Sequence, residues 1–231
     1  MKKLILSLCV VLVSALFVSA GTALAVDDVI STKHNLLDAT TIDATYYADV
    51  VSYGAVCVYC HTPHNKNATV DAPLWNRNAN TSGYTPYTSP TLDSTVGQPT
   101  GVSLACLSCH DGTIGIDVIV NQPGATGDTG GFTPGAVMMR DTGDPNYNPR
   151  LTQDLSDDHP ISMQYAGPGG SNVDTAFNDL TSAKSGGLRF FGSAKDEVQC
   201  ASCHNPHDKT NGKFLRISNT SSALCLTCHI K

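Results

Sequence analysis

The sequence predicts a mostly irregular protein with short α-helices and little β-structure. Only 15% of its 231 residues are charged, and its 20 glycines and 12 prolines favour turns over long regular elements. Hydrophobic periodicity is weak. A helical pattern over residues 42–51 predicts at most one short helix, and a loose alternation over residues 112–120 predicts one short strand. The remaining organisation of the chain follows from a repeated cysteine motif.

A five-residue unit occurs four times, with two cysteines separated by two residues and followed at once by histidine. Its copies are Cys57–His61, Cys106–His110, Cys200–His204 and Cys225–His229. This unit is the attachment signature of c-type haem, in which both thiols form thioethers and the histidine becomes the proximal iron ligand. The cysteines predicted to hold haem are Cys57, Cys60, Cys106, Cys109, Cys200, Cys203, Cys225 and Cys228. The predicted proximal ligands are His61, His110, His204 and His229.

Two other uses of cysteine pairs explain this pattern less well. Zinc sites or disulfides would occupy the eight thiols but would leave the four adjacent histidines without a role. Histidine makes up 8 of 231 residues, so four such coincidences have a probability of roughly one in a million on composition alone. We therefore predict four covalently attached haem c groups and a multihaem cytochrome c fold with a haem-packed core.

The first 25 residues form a predicted secretory signal peptide. Lys2 and Lys3 precede an apolar run over residues 4–18, and residues 23–25 (ALA) supply the small-residue cleavage site. We therefore expect an exported protein, periplasmic or extracellular, with no transmembrane segment after cleavage. Removal of two lysines and no acidic residue changes the formal charge from −6 to −8. No basic cluster offsets this charge, which argues against a nucleic-acid partner.

An internal repeat divides the remaining chain into two haem-binding modules. Residues 61–66 (HTPHNK) match residues 204–209 (HNPHDK), and residues 103–110 match residues 222–229. Duplication of a two-haem unit is the simplest explanation. The predicted regions are the signal peptide (1–25), an N-terminal arm with the first two-haem module (26–125), a loop-rich connection (126–190) and the second two-haem module (191–231).

Four histidines lie outside the motifs, one for each predicted haem. They are His34, His64, His159 and His207. A six-coordinate haem takes its sixth ligand on the face opposite the proximal histidine, so this supply predicts four bis-histidine irons. Methionine is the competing ligand, but the methionines after the signal peptide lie outside the repeated unit. They are Met138, Met139 and Met163.

Chain geometry limits which iron each of these histidines can reach. His64 follows His61 by three residues and cannot easily reach the opposite face of the same haem. We therefore predict that His64 ligates the iron held by His110. By the repeat, His207 should ligate the iron held by His229, and His34 and His159 are left for the irons of His61 and His204.

Several stretches resemble the doubled-CxxCH multihaem cytochromes, and in particular tetrahaem members of metal-reducing bacteria. They are residues 62–65 (TPHN), 73–77 (PLWNR), 106–112 (CLSCHDG) and 158–162 (DHPIS). Some similar cytochromes polymerise into extracellular filaments, in which a histidine of one subunit ligates a haem of the next. The resemblance implies self-polymerisation of this kind, with His34 as the shared ligand. Action of His34 within its own subunit stays open.

We predict an electron-transfer protein without catalytic residues rather than an enzyme. Two imidazoles on every iron would leave no open position for a substrate, and the chain has enough histidines to close all four sites. Its partners would be other redox proteins or extracellular electron acceptors. The alternative is a multihaem reductase of the nitrite or hydroxylamine type, which needs one open haem site with acid/base groups beside it.

Overall fold

The structure is a computed structural model that describes residues 29–37, 49–123, 135, 137–141 and 148–230. The predicted signal peptide and most of the predicted helix at residues 42–51 lie outside these ranges. No helix in the described ranges is both long enough and apolar enough to span a bilayer.

Short helices are the main regular elements of the described chain. The α-helices are α1 (Ser103–His110), α2 (Leu180–Ser185), α3 (Cys200–Cys203) and α4 (Ala223–Cys228). The 3₁₀ turns are Val29–Ser31, Val56–Tyr59, Pro168–Gly170 and Thr220–Ser222. Two strands, β1 (Met163–Gln164) and β2 (Glu197–Val198), pair antiparallel with Met163 opposite Val198. The predicted architecture of irregular chain, short helices at the motifs and little strand is confirmed.

Helix α1 is the longest regular element, and it carries the second motif. Its buried residues include Leu104 and Leu107, so the helix lies inside the first half of the molecule. The helix ends at Asp111 and Gly112, where Gly112 takes a positive φ of 70°. This is the left-handed conformation that commonly terminates helices and that glycine adopts without steric cost.

The predicted strand at residues 112–120 is wrong, because this segment forms turns. The Asp117 carboxylate is fully buried and accepts backbone N–H groups from Val51 (3.1 Å) and Gly135 (2.8 Å). These bonds bend the chain around the carboxylate, while Ile116 and Ile119 still point into the core. The apolar residues of this segment are therefore buried, as their pattern indicates, whereas hydrogen bonds to the Asp117 carboxylate determine the backbone conformation.

Arg77 is buried in the first half, and no carboxylate within the described ranges pairs with it. Its guanidinium donates to the backbone carbonyls of Ile116 (2.7 Å), Ser108 (3.1 Å) and Gly115 (2.7 Å). It therefore joins the last turn of α1 to the turn that follows. The three bonds offset part of the cost of burying the cation, while its Nε has no hydrogen-bond partner among the described residues.

An aromatic cluster organises the second half. The rings of Tyr165 and Phe177 stack with centroids 5.1 Å apart, and Phe190 packs on Tyr165 at 4.8 Å. The Tyr165 hydroxyl donates to the carbonyl of Asn178 (2.6 Å), whose own N–H donates to the carbonyl of Cys228 (2.7 Å). The cluster thus fixes the end of α4, which carries the fourth motif.

The loops after the first and third motifs adopt the same conformation, although their sequences differ. An antiparallel bridge joins His61 to Trp75 in one loop and His204 to Leu215 in the other. Leu74 and Phe214 occupy equivalent positions with φ of 51° and 59°. The bond from Thr62 N–H to Leu74 O (2.8 Å) in the first loop corresponds to that from Asn205 N–H to Phe214 O (2.7 Å) in the second. Likewise, the bond from Asn76 N–H to Cys60 O (2.9 Å) corresponds to that from Arg216 N–H to Cys203 O (2.8 Å). The sequence repeat is therefore accompanied by a repeat in backbone conformation.

Candidate haem sites

Each motif forms one helical turn, and this turn explains its spacing. In an α-helical turn, residues three and four positions apart lie on the same face. The two cysteines and the histidine of each motif occupy such positions, so a single planar group can meet all three. The bonds that close the turns are His61 N–H to Cys57 O (2.8 Å), His204 N–H to Cys200 O (3.1 Å) and His229 N–H to Cys225 O (2.9 Å); the second motif lies within α1.

Backbone carbonyls fix the tautomer of five histidines. A carbonyl only accepts hydrogen bonds, so the Nδ1 atom beside it must carry the proton. The Nε2 atom then keeps the lone pair with which imidazole binds a metal. The bonds run from Nδ1 of His61 to Pro73 O (2.7 Å), His110 to Pro149 O (2.6 Å), His204 to Lys213 O (2.9 Å), His34 to Pro206 O (3.1 Å) and His159 to Pro160 O (2.9 Å).

Three histidine pairs have the separation that an iron between them requires. Two imidazoles bonded to one metal from opposite sides, each at about 2 Å, place their ring centroids about 6 Å apart. Each observed pair joins a motif histidine to a histidine outside the motifs. The pairs are His61 with His207 (6.2 Å), His34 with His110 (6.2 Å) and His159 with His229 (6.4 Å).

The local pairing that the sequence suggested is therefore wrong. His207 lies beside His61 rather than His229, because the segment after the third motif reaches across to the first module. His34 lies beside His110, the predicted partner of His64. His159 lies beside His229 rather than His204. The three-residue spacing rules out ligation of the adjacent iron, but it does not determine which distant iron is reached.

His64 and His204 are the two histidines for which no ring partner lies within the described chain. Both side chains are exposed. The Nδ1 atom of His204 is held by the Lys213 carbonyl in the same way as the other motif histidines. His204 is therefore oriented as a ligand.

His34 is fixed by the second module although it faces the first. Its ring stacks on Phe214 with centroids 4.4 Å apart, and the Lys209 ammonium donates to the carbonyl of nearby Ser31. Burial, and then the nearby His110, lowers the pKa of His34 to about 4. Burial also lowers the pKa of His110. Both rings are thus neutral at pH 7, which is the form that binds metal.

Trp75 supplies an independent sign of a missing acceptor near the first motif. Its ring meets that of His61 edge-on at 6.0 Å, and its side chain is 9% exposed. The indole Nε1 is buried, and no hydrogen-bond acceptor for it lies in the described chain. A buried indole N–H normally finds a partner, so an acceptor on a bound group beside His61 fits this position.

The eight motif cysteines of the described chain are free thiols, and several lie in apolar surroundings. Burial raises the pKa of Cys60 to about 12 and that of Cys228 to about 11. The neighbouring Cys200 thiol, from the other module, and then burial raise the pKa of Cys106. Neutral thiols in apolar surroundings are compatible with a large, mostly apolar group attached to them.

A buried polar contact between the modules had no signal in the sequence. Ser103 at the start of α1 and Gln199 before α3 are 0% and 1% exposed, and their side chains are hydrogen-bonded to each other. The Ser103 position belongs to the sequence repeat, but nothing in the repeat distinguishes it from Ser222. Only the fold reveals that the two positions have different surroundings.

The comparison with known families agrees with this chemistry. The family model described as the doubled CXXCH motif matches residues 193–231. No curated protein matches the chain. The CXXCH motifs indicate covalently bound c-type haem, and the histidine tautomers and ring separations fit its axial ligation.

Proposed function

We propose that this chain, whose residues 193–231 match the doubled CXXCH motif family model, is an exported tetrahaem c-type cytochrome that carries electrons. The observation on which the proposal depends is the set of three histidine pairs, each with ring centroids 6.2–6.4 Å apart. Each pair brings a motif histidine and a second histidine to the two sides of one iron position.

The role of each residue follows from its position. The eight motif cysteines would hold the haem edges as thioethers, and the four motif histidines would bind the irons from one side. His207, His34 and His159 would bind the irons of His61, His110 and His229 from the other side. Haem bound in this way supplies a one-electron couple whose potential depends on axial ligands and burial. The carbonyls on Nδ1 keep the imidazoles oriented in both oxidation states.

Assembly with further copies would complete the fourth site. Helix α1 packs on α3 within the chain, and Leu107 of α1 is 0% exposed. The repeat-equivalent Leu226 of α4 is 43% exposed, and α4 has no buried residues. Helix α1 of the first module thus contacts α3 of the second module inside the chain. The equivalent surface of α4, around Leu226, is exposed.

An interface of this head-to-tail type continues from subunit to subunit. Within the chain, His207 of the second module reaches the iron position of His61 in the first. The same relation, repeated, would bring His64 of a neighbouring subunit to the iron of His204. We therefore propose His64 as the shared ligand of a filament. The prediction that His34 has this role stays untested, while in this chain His34 lies beside its own His110.

A reductase with one open haem is the second candidate, and one observation favours it. His204 has no opposite histidine within the described chain, so its iron would be open in an isolated subunit. A reductase would also need acid/base groups on the open face of that haem, opposite His204.

The test combines haem counting, redox titration and electron microscopy of the exported holoprotein. We expect four haems per chain, reversible uptake of four electrons and head-to-tail assemblies at high concentration. Nitrite and hydroxylamine should not be consumed at enzymatic rates. Fewer than four haems, or steady turnover of either substrate, would contradict the proposed carrier. Discrete single particles at every concentration would contradict the proposed filament but not the proposed electron carrier.

A further inference from the structure

The two modules meet at a buried polar contact between α1 and the residue before α3. The Ser103 hydroxyl donates to Oε1 of Gln199 and accepts the backbone N–H of Cys200 (3.0 Å). Ser162 donates to the same Oε1 at 3.1 Å. Two hydroxyl groups from separate parts of the chain thus donate to the Gln199 side chain.

Gln199 also caps α3, so the contact and the helix share one residue. Its backbone N–H donates to the Ser202 hydroxyl (2.9 Å), and its side chain accepts from the backbone of the same residue. The amide Nε2 donates to Glu197 at 3.1 Å. Every polar atom of the Gln199 side chain therefore has a partner, and a fully satisfied buried network fixes one arrangement.

This contact lies directly beside two haem-attaching thiols. Cys200 follows Gln199, and Cys106 is one helical turn after Ser103. The backbone N–H of Cys200 donates to Ser103, one helical turn before Cys106, and the two helices that carry these cysteines pack on each other. In the mature protein each sulfur would carry a different haem, one in each module. The distance between the edges of these two haems is then set where Ser103 meets Gln199.

We propose that Ser103 and Gln199 are positioning residues for electron transfer between the modules. This inference depends on the proposed function. The two side chains touch no iron position. They hold α1 and α3 in the register that brings Cys106 and Cys200 together, and so they determine how strongly the second and third haems interact.

The sequence repeat supplies a control for the hydrogen bond between Ser103 and Gln199, because the repeat-equivalent serine does not lie at the contact between the modules. Ser222 precedes α4 as Ser103 begins α1, but Ser222 is exposed. Gln98 offers a matched amide elsewhere, since it exchanges two hydrogen bonds of 2.9 Å with the backbone of Tyr84 within the first module. Neither control residue joins the haem-bearing helices of different modules.

The experiment compares Ser103→Ala with Ser222→Ala, and Gln199→Leu with Gln98→Leu, in the haem-loaded protein. Coupling between neighbouring haems gives a two-signed circular dichroism signal in the Soret band, and flash photoreduction gives the rate of internal electron equilibration. We expect Ser103→Ala and Gln199→Leu to lose part of the two-signed signal and to slow equilibration. Haem content and the low-spin absorption spectrum should stay unchanged, and both controls should match the parent protein.

Equal signals and equal rates in Gln199→Leu and the parent protein would overturn the inference. So would losses of the same size in the controls, because these would show only general loosening. If Gln199→Leu does not fold, Gln199→Asn keeps the amide but withdraws it by one methylene, and the same outcomes apply. A low haem count or an open iron in the parent protein would instead count against the proposed function.

Discussion

The ring of His61 lies 6.2 Å from the ring of His207, with the two ring planes 23° apart. The other two histidine pairs have ring planes 79° and 73° apart. The angle between two axial imidazole planes controls the splitting of the iron d-orbitals. The structure therefore distinguishes one nearly parallel site from two nearly perpendicular ones.

Electron paramagnetic resonance of the oxidised protein should show both types of low-spin iron. We expect an ordinary rhombic signal from the His61–His207 iron and strongly anisotropic signals from the irons of His110 and His229. In a His64→Ala background, which removes the His204 iron from the low-spin signals, His207→Ala should abolish the rhombic signal while the anisotropic signals persist. Persistence of the rhombic signal in this variant would refute the pairing.

Removal of the His207 imidazole should open the iron of the first motif and no other. We expect His207→Ala to gain one high-spin haem that binds carbon monoxide after reduction, and added imidazole should restore the low-spin spectrum. The control is the same substitution in a chain with Cys57→Ala and Cys60→Ala, which lacks the first haem. A new high-spin haem in that background would place His207 on a different iron.

Most of the attachment chemistry was predictable from sequence, because it depends on local spacing. The CxxCH units specify both the ligands and the helical turns that present them, as α1 and α4 demonstrate. Ligand pairing was not predictable, because it depends on which distant segment lies opposite each motif. His207 lies beside His61 although 146 positions separate them in sequence, and no local pattern marks this contact.

Replacement of Arg77 should destabilise the first half of the molecule. In Arg77→Leu three buried carbonyls lose their donor, and we expect the free energy of unfolding to fall by about 3 kcal/mol in chemical denaturation. Arg189 is exposed, so Arg189→Leu should change the same quantity by less than about 0.5 kcal/mol. Equal effects of the two substitutions would show that the Arg77 contacts contribute little.

Tyr53 should contribute to loss of stability at alkaline pH. Burial, and then the nearby Asp117, raises the pKa of the Tyr53 hydroxyl, which donates to the Asp117 carbonyl at 2.9 Å. A raised folded-state pKa gives stability that is present below the unfolded value of about 10 and is lost as pH rises through the folded value.

We expect Tyr53→Phe to cost about 1 kcal/mol at pH 7 and to reduce the fall in stability above pH about 10. Tyr87 is half-buried and provides a matched control, and we expect Tyr87→Phe to cost less stability at pH 7 than Tyr53→Phe. Unfolding free energies measured across this pH range check the prediction. An alkaline fall as steep in Tyr53→Phe as in the parent would contradict it.

The neighbour-supplied ligand of His204 can be separated from an open site by varying concentration. If His64 of another subunit completes this site, dilution should convert one haem in four from low spin to high spin. His64→Ala should hold that haem high spin at every concentration. A His64→Ala protein that remains fully low spin would show that another group ligates the iron of His204.

Carbon monoxide titration of the reduced, assembled holoprotein tests most directly whether every iron is held between two imidazoles. We predict no carbon monoxide uptake and an unchanged low-spin spectrum at all four haems. Prompt uptake of one or more equivalents per chain would contradict the account.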